Sequence, residues 1–188
     1  EPNDPKEYVI ILTDHVSLLN PESGMDLRES INRFSEYMVM FRNRYNYIPV
    51  VIQQQNTETM GLDAFKAGKV RPTITGLGDS KYTGRDCSIM LGITNPYSHE
   101  INNYLGYDIS KFKGNIRFLE VCIGRDGTQG GMIALFFDGA SCSFYELPPA
   151  QDAVGLEKIY HYIRELNAPK AKTFFIKTLA QLKHGKLL

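Results

Sequence analysis

The sequence predicts one α/β domain, a parallel half followed by an antiparallel edge. Three observations predict it. An apolar run, an amphipathic helix and a second apolar run succeed one another between residues 8 and 52. Two hairpins punctuated by Asp-Gly turns follow between residues 116 and 147. The length, 188 residues, suits one domain with a substantial core and is short for two.

"EYVIILTDH" opens the fold. Tyr8 to Leu12 are consecutive apolar residues and read as a strand buried on both faces, as in a parallel sheet. The run ends at Asp14. The turn "NPESGMD" follows, with Ser23-x-x-Asp26 as the expected helix start. Leu27, Ile31, Phe34, Met38, Phe41 and Tyr45 then recur at alternating spacings of four and three. That spacing makes one apolar face on a helix of about five turns. "YIPVVIQQQN" is a second buried strand and ends in three amides, Gln53 to Gln55. A strand-helix-strand order implies a right-handed crossover and parallel pairing.

Residues 56 to 85 show no clear periodicity and carry Lys66, Lys69, Arg71, Lys81 and Arg85. A connection that long, if unstructured, is functional or disordered. Cys87 to Ile93 reads as a third buried strand, and residues 95 to 114 as a polar excursion. "IRFLEVCIGRDGTQGGMIALFFDGASCSFYELP" gives strand, turn, strand, turn, strand, with turns at Arg125-Asp126-Gly127 and Asp138-Gly139. Residues 152 to 167 and 170 to 184 read as two terminal helices. The second region holds five lysines from Lys170 to Lys186 and no acid. Its apolar set, Phe175, Leu179 and Leu182, suggests docking on this domain or on a partner. The expected division is a domain over 1–149 and a two-helix extension over 150–188.

Hydrophobic residues make up 43% and charged residues 22%, an ordinary globular composition. The formal net charge is zero, so any nucleic-acid contact has to come from a local patch. Cys87, Cys122 and Cys142 lack metal-ligand spacing and read as free thiols in a reducing compartment. No apolar run approaches the roughly 20 residues of a membrane-spanning helix, so no membrane partner is expected.

Asp14 lies just past the end of an apolar strand, the edge where open α/β sheets bind ligands. An apolar run ending in Asp is the Walker B pattern, in which the carboxylate holds Mg²⁺; it is also the pattern of an Asp capping a turn. Gln53, Gln54 and Gln55 end the neighbouring strand. An amide there reaches the same ligand and senses a terminal phosphate, or is merely solvated. Arg125, in a tight turn, reads as a surface arginine or as an arginine finger reaching a neighbouring subunit's phosphate. No phosphate loop is present: "GLDAFKAGKV" has the wrong spacing and follows no strand. His15, His99, His161 and His184 show no ligand spacing, and no nucleophile elbow supports Ser/His/Asp catalysis.

In this order the features resemble the C-terminal RecA-type ATPase domain of bacterial replicative helicases of the DnaB type. Divergent relatives in phages and mobile elements of Bacteroidetes are closer still. "YVIILTDHVSLL" resembles the Walker B strand, which puts Asp14 at the magnesium position. "YIPVVIQQQN" resembles the strand ending in the phosphate-sensing Gln, matched here by Gln55. "RPTITGLGDSKYTGRDCSIMLGI" resembles the DNA-binding loop and the strand after it. Gly78, Asp79, Ser80 and Lys81 then fall where the family approaches the single-strand backbone, with Arg85 adding charge. "EVCIGRDGTQGGMIALFF" resembles the finger hairpin, with Arg125 at the finger.

The resemblance covers about residues 7 to 148 and implies a RecA-like P-loop NTPase core. Three positions depart from the family pattern. Ile123 replaces a Lys two residues before the finger, Gly78-Asp79 replaces an Arg-Glu pair, and Ser88 replaces an acid. The Walker A portion of the fold would precede Asp14. With Glu1 first and about seven residues before the strand, a fragment of a longer helicase is expected, inactive on its own. What the resemblance implies is an ATP- and Mg²⁺-dependent 5′–3′ helicase on single-stranded DNA, a homo-hexamer with nucleotide between subunits, in the cytoplasm. The alternatives are a non-catalytic RecA-like module that binds single-stranded DNA or assembles a replisome, and a RecA-type recombinase.

Overall fold

The computed structural model describes residues 6–56, 71–127 and 130–166. It is a mixed α/β fold with parallel and antiparallel sheets. The expected second terminal helix and "GLDAFKAGKV" lie outside the described residues, as does most of the basic stretch that contains Lys66 and Lys69.

Strand β1 (Ile10–Thr13) and strand β2 (Ile48–Val51) pair in parallel, Ile10 opposite Ile48 and Thr13 opposite Val51. Helix α1 (Leu27–Tyr45) connects them. Its N-cap is Asp26 rather than Ser23. The Asp26 carboxylate accepts from the Glu29 N–H at 2.7 Å, and the Glu29 carboxylate accepts from the Asp26 N–H at 3.0 Å. Two orphan donors of the first turn are thereby satisfied. Asn46 ends the helix in the left-handed conformation at φ 55°, a C-cap role open to Asn. Ile31 on the expected apolar face is fully buried; Leu27, Phe34, Met38, Phe41 and Tyr45 are half-buried.

After a short helix, α2 (Tyr82–Asp86), strand β3 (Ile89–Thr94) enters a four-stranded antiparallel sheet ordered β3-β6-β7-β8. Its other members are β6 (Ile116–Gly124), β7 (Met132–Asp138) and β8 (Ser143–Glu146). The β6–β7–β8 meander is the expected double hairpin. At its second turn the Asp138 carboxylate accepts from the Ala140 N–H at 3.0 Å and from the Ser141 hydroxyl at 2.8 Å. Asp side chains favour turns through such bonds to nearby groups.

Residues 95–114, expected as a polar excursion, instead supply much of the core. They form a two-residue ribbon, β4 (Asn103–Tyr104) with β5 (Tyr107–Asp108), and the single-turn helix α3 (Ile109–Phe112). Ile101, Tyr104, Tyr107, Ile109 and Phe112 pack with Phe118 and Phe136 of the sheet and with Leu156, Tyr160 and Ile163. The last three belong to helix α4 (Ala153–Leu166), which therefore closes the core as its outer layer. Five apolar residues spread through polar sequence carry no period, which is why the pattern misleads.

Strands β1, β2 and β3 are not buried on both faces; in β2, Ile48 and Val50 are each 42% exposed. Ile10 and Leu12 are 63% and 65% exposed, and Ile89, Leu91 and Ile93 are 57–58% exposed. Their alternate residues turn inward: Ile11 and Met90 are half-buried, and Thr94 is buried. The β1–β2 pair thus exposes one apolar face, whereas in the four-stranded sheet the exposure is greatest on β3, with Leu135 of β7 buried on the same side. Among the described residues no helix is long and apolar enough to cross a membrane.

Candidate functional site

The parallel pair brings two of the expected positions to one edge. Thr13 stands opposite Val51, so Asp14 and the amide run leave the sheet side by side. The pairing continues past the strands: Ile52 N–H donates to the Thr13 carbonyl at 2.9 Å and Val16 N–H to the Ile52 carbonyl at 3.1 Å. The Asp14–His15 peptide is cis. Asp14 is exposed. The turn beyond it is anchored by fully buried Val16, whose apolar side chain fixes the path of the chain away from the sheet.

The three amides are not equivalent. Gln53 is half-buried and its side chain is saturated. Its Nε2 donates to the carbonyls of Gly78 and Ser80, the latter at 2.8 Å, and its Oε1 accepts from the Thr83 hydroxyl. Gln54 works through its backbone, its carbonyl accepting from Gly78 N–H at 3.0 Å. Gln55 donates to the Thr73 carbonyl at 3.2 Å and forms an isolated bridge with Leu77. A Cβ on Gly76 would fall 2.1 Å from Gln55 Oε1, so a side chain at Gly76 would displace that amide. Residues 73–83 are therefore strapped to the exit of β2.

The same segment is also tied to α1 and to the β1 exit. Ser80 is only 2% exposed; its hydroxyl donates to Asn32 Oδ1 at 2.5 Å and accepts from the Tyr82 N–H at 3.1 Å. The Ser17 hydroxyl donates to Asp79 Oδ2 at 2.5 Å. Asp79 takes the left-handed conformation at φ 54°, one that short polar residues adopt more readily than most. Gly78 is half-buried, and a Cβ there would lie 3.3 Å from the Gln54 carbonyl. Of the five expected DNA-contacting residues, Asp79, Lys81 and Arg85 are exposed.

Arg125 sits elsewhere, after β6. Its guanidinium donates to the Arg85 carbonyl at the end of α2, and its N–H to the Ser88 carbonyl at 3.1 Å. Arg42 of α1 donates to the next carbonyl, Asp86, at 3.0 Å. Two arginines thus cap the C-terminal end of one short helix, where orphan carbonyls favour cations. Cys87 lies among them. Burial pushes its thiol up from the ordinary range, and nearby Arg125 offsets part of that rise. All three cysteines are free.

Comparison with models of known protein families and with curated protein sequences finds no match. Two contributors were not visible as site residues in the sequence. Asn32 and Ser17 read as ordinary polar positions, and only the fold brings them to the 78–83 segment.

The chemistry of the edge fits a magnesium nucleotide in one limited way. Mg²⁺ keeps several waters and takes one or two carboxylates plus substrate phosphates. Asp14 offers one carboxylate at a strand exit, with no partner among the described residues. No group of three His, Cys, Asp or Glu able to hold a metal occurs among those residues.

Proposed function

We propose that this chain is the C-terminal part of the ATPase domain of a ring-forming DNA helicase of the DnaB type, working on single-stranded DNA. One observation carries the reading. The edge that holds Asp14 and the amides is hydrogen-bonded, through Ser17, Gln53 and Gln54, to the 78–83 segment that presents Lys81. An edge able to face a nucleotide, joined directly to a segment that presents Lys81 and leads into Arg85, is what coupling of hydrolysis to DNA movement needs. The exposed apolar residues of β1, β2 and β3 support the reading too, since further strands and helices of a RecA-like core would cover them.

A bound magnesium nucleotide would supply the phosphoanhydride to be cleaved, the cation neutralising charge on its β- and γ-oxygens. Asp14 would hold the cation through water. Gln55, anchored by a single 3.2 Å bond, is free to turn its amide toward a terminal phosphate, whereas Gln53 is committed to the loop. Lys81, Arg85 and backbone amides would grip successive DNA phosphates without regard to sequence. Arg125 would reach a nucleotide on the next subunit of a cytoplasmic homo-hexamer moving 5′–3′.

The bond from Arg125 to Arg85 within one protomer favours a second reading, a module that grips single-stranded DNA without hydrolysing nucleotide. One experiment separates the two. The codons upstream of Glu1 are read, and the polypeptide they extend is assayed for DNA-stimulated ATP hydrolysis. The helicase reading expects a Gly-x-x-x-x-Gly-Lys-Ser/Thr loop and large losses of stimulated activity in Gln55→Ala and Arg125→Ala. An upstream frame without that loop, or stimulated activity intact in both variants, would leave the second reading.

A further inference from the structure

Helix α2 and the turn after β6 present an aromatic ring that the phosphate grip does not use. The Arg85 guanidinium lies over the Tyr82 ring, 5.7 Å from its centroid. Tyr82 is 41% exposed. Lys81, next to it in sequence, Arg85 and Arg125 are exposed, and Arg125 is bonded to the Arg85 carbonyl. Two of the acids near them in sequence accept from serine hydroxyls and keep their charge. Asp86 accepts from the Ser35 hydroxyl at 2.6 Å, and Asp79 accepts from the Ser17 hydroxyl at 2.5 Å. Asp126, next to Arg125, is the remaining exposed acid. Three cations and an aromatic ring on helix α2 and the turn bonded to it are therefore exposed, interspersed with three acids.

The ledge is held before any ligand arrives. Gln53 bonds Gly78, Ser80 and Thr83 on both sides of it. Ser80 bonds Asn32 and the Tyr82 N–H. Groups already fixed lose little freedom on binding, which favours affinity.

We propose that Tyr82 and Arg85 stack against an unpaired base of single-stranded DNA, while Lys81 and Arg125 take the flanking phosphates. Planar base and charged phosphate alternate along such a strand, and an aromatic–arginine pair flanked by cations matches both. A duplex keeps its bases stacked inside and offers no such face. The inference rests on the DNA-binding reading above. It adds a base contact to a grip otherwise made of phosphates and amides, and it gives Arg125 a ligand within its own protomer.

The test is fluorescence anisotropy of the 188-residue chain with two labelled strands, an oligothymidylate and an abasic oligomer, each about 15 nucleotides long. Tyr82→Ala is expected to weaken binding to oligothymidylate about ten-fold and to leave the abasic strand unaffected. Tyr82→Phe restores the affinity. Lys81→Ala and Arg125→Ala weaken both strands and each lower the salt slope by about 0.7. Urea unfolding checks that each variant is folded. Salt-dependent DNA binding with Tyr82→Ala equal to wild type, or Tyr82→Phe as weak as Tyr82→Ala, overturns the ledge alone. No binding by the wild-type chain to either strand overturns the ledge and the DNA grip together.

Discussion

Replacing Gln53 and Gln55 in turn measures how firmly the 73–83 segment is strapped to the sheet. Gln53→Ala removes two donors from the carbonyls of Gly78 and Ser80 and the acceptor of the Thr83 hydroxyl. A net hydrogen bond contributes about 0.5–1.5 kcal/mol, and a partner left dry costs more. Three such bonds on a half-buried amide give an expected loss of about 2–3 kcal/mol. Gln55→Ala removes one exposed bond of 3.2 Å, with an expected loss of about 0.5 kcal/mol. Taking a urea slope of about 2 kcal/mol per molar, the midpoint falls by about 1–1.5 M for Gln53→Ala and by about 0.25 M for Gln55→Ala. Gln53→Glu is expected to be worse than Gln53→Ala, because it turns a carboxylate toward two carbonyl oxygens. Urea melts of the four proteins decide the matter. Equal shifts for the two alanine variants, or Gln53→Glu no worse than Gln53→Ala, would refute the division into a committed and a free amide.

Three further outcomes follow from packing and charge. Phe112 is fully buried, with ring contacts at 6.2 Å to Tyr107 and 5.0 Å to Tyr160, so Phe112→Ala should cost about 3–5 kcal/mol in a urea melt. A Cβ on Gly92 would meet Pro72 Cβ at 2.3 Å and Cys122 Sγ at 2.9 Å, so Gly92→Ala should cost about 1–3 kcal/mol through backbone displacement, again read by urea melts. Burial raises the phenols of Tyr104, Tyr107, Tyr160 and Tyr162 and the thiols of Cys87 and Cys122. Raised acids hold their protons in the fold, so their contribution is intact below the unfolded values and is lost as pH climbs past them. The urea midpoint should therefore stay flat from pH 7 to about 8.5 and fall steadily beyond about 10.

The strand-helix-strand unit was legible because each part carries a strong period or a strong cap. Six apolar residues at helical spacing mark the helix, although its start is capped by Asp26 with Glu29 rather than at Ser23. The meander was legible for a similar reason, since turn residues punctuate it. Residues 95–114 were not legible. Their buried side chains come from a two-residue ribbon and a single helical turn, elements too short to show a period. Burial on both faces of β1, β2 and β3 was misread because a run of apolar residues does not say which layers are present to cover it.

The site divides along the same line. Asp14 and Gln53 to Gln55 could be placed on one edge from sequence because parallel pairing alone puts strand ends together. What sequence could not rank is which amide is spoken for, because that depends on where residues 78–83 fold back. Their path is set by contacts of long sequence separation, Ser80 to Asn32 and Asp79 to Ser17. Those same contacts bear on how movement could pass from edge to loop. A segment held by one residue would be released by one rotation. This segment is held by Gln53, Asn32 and Ser17 on three different elements, so a change at the edge has to carry 78–83 with it as a unit. Lys81, Tyr82 and Arg85 ride on that unit. A shift of the strand exits would accordingly displace the three together, as the proposed stepping on a single strand requires.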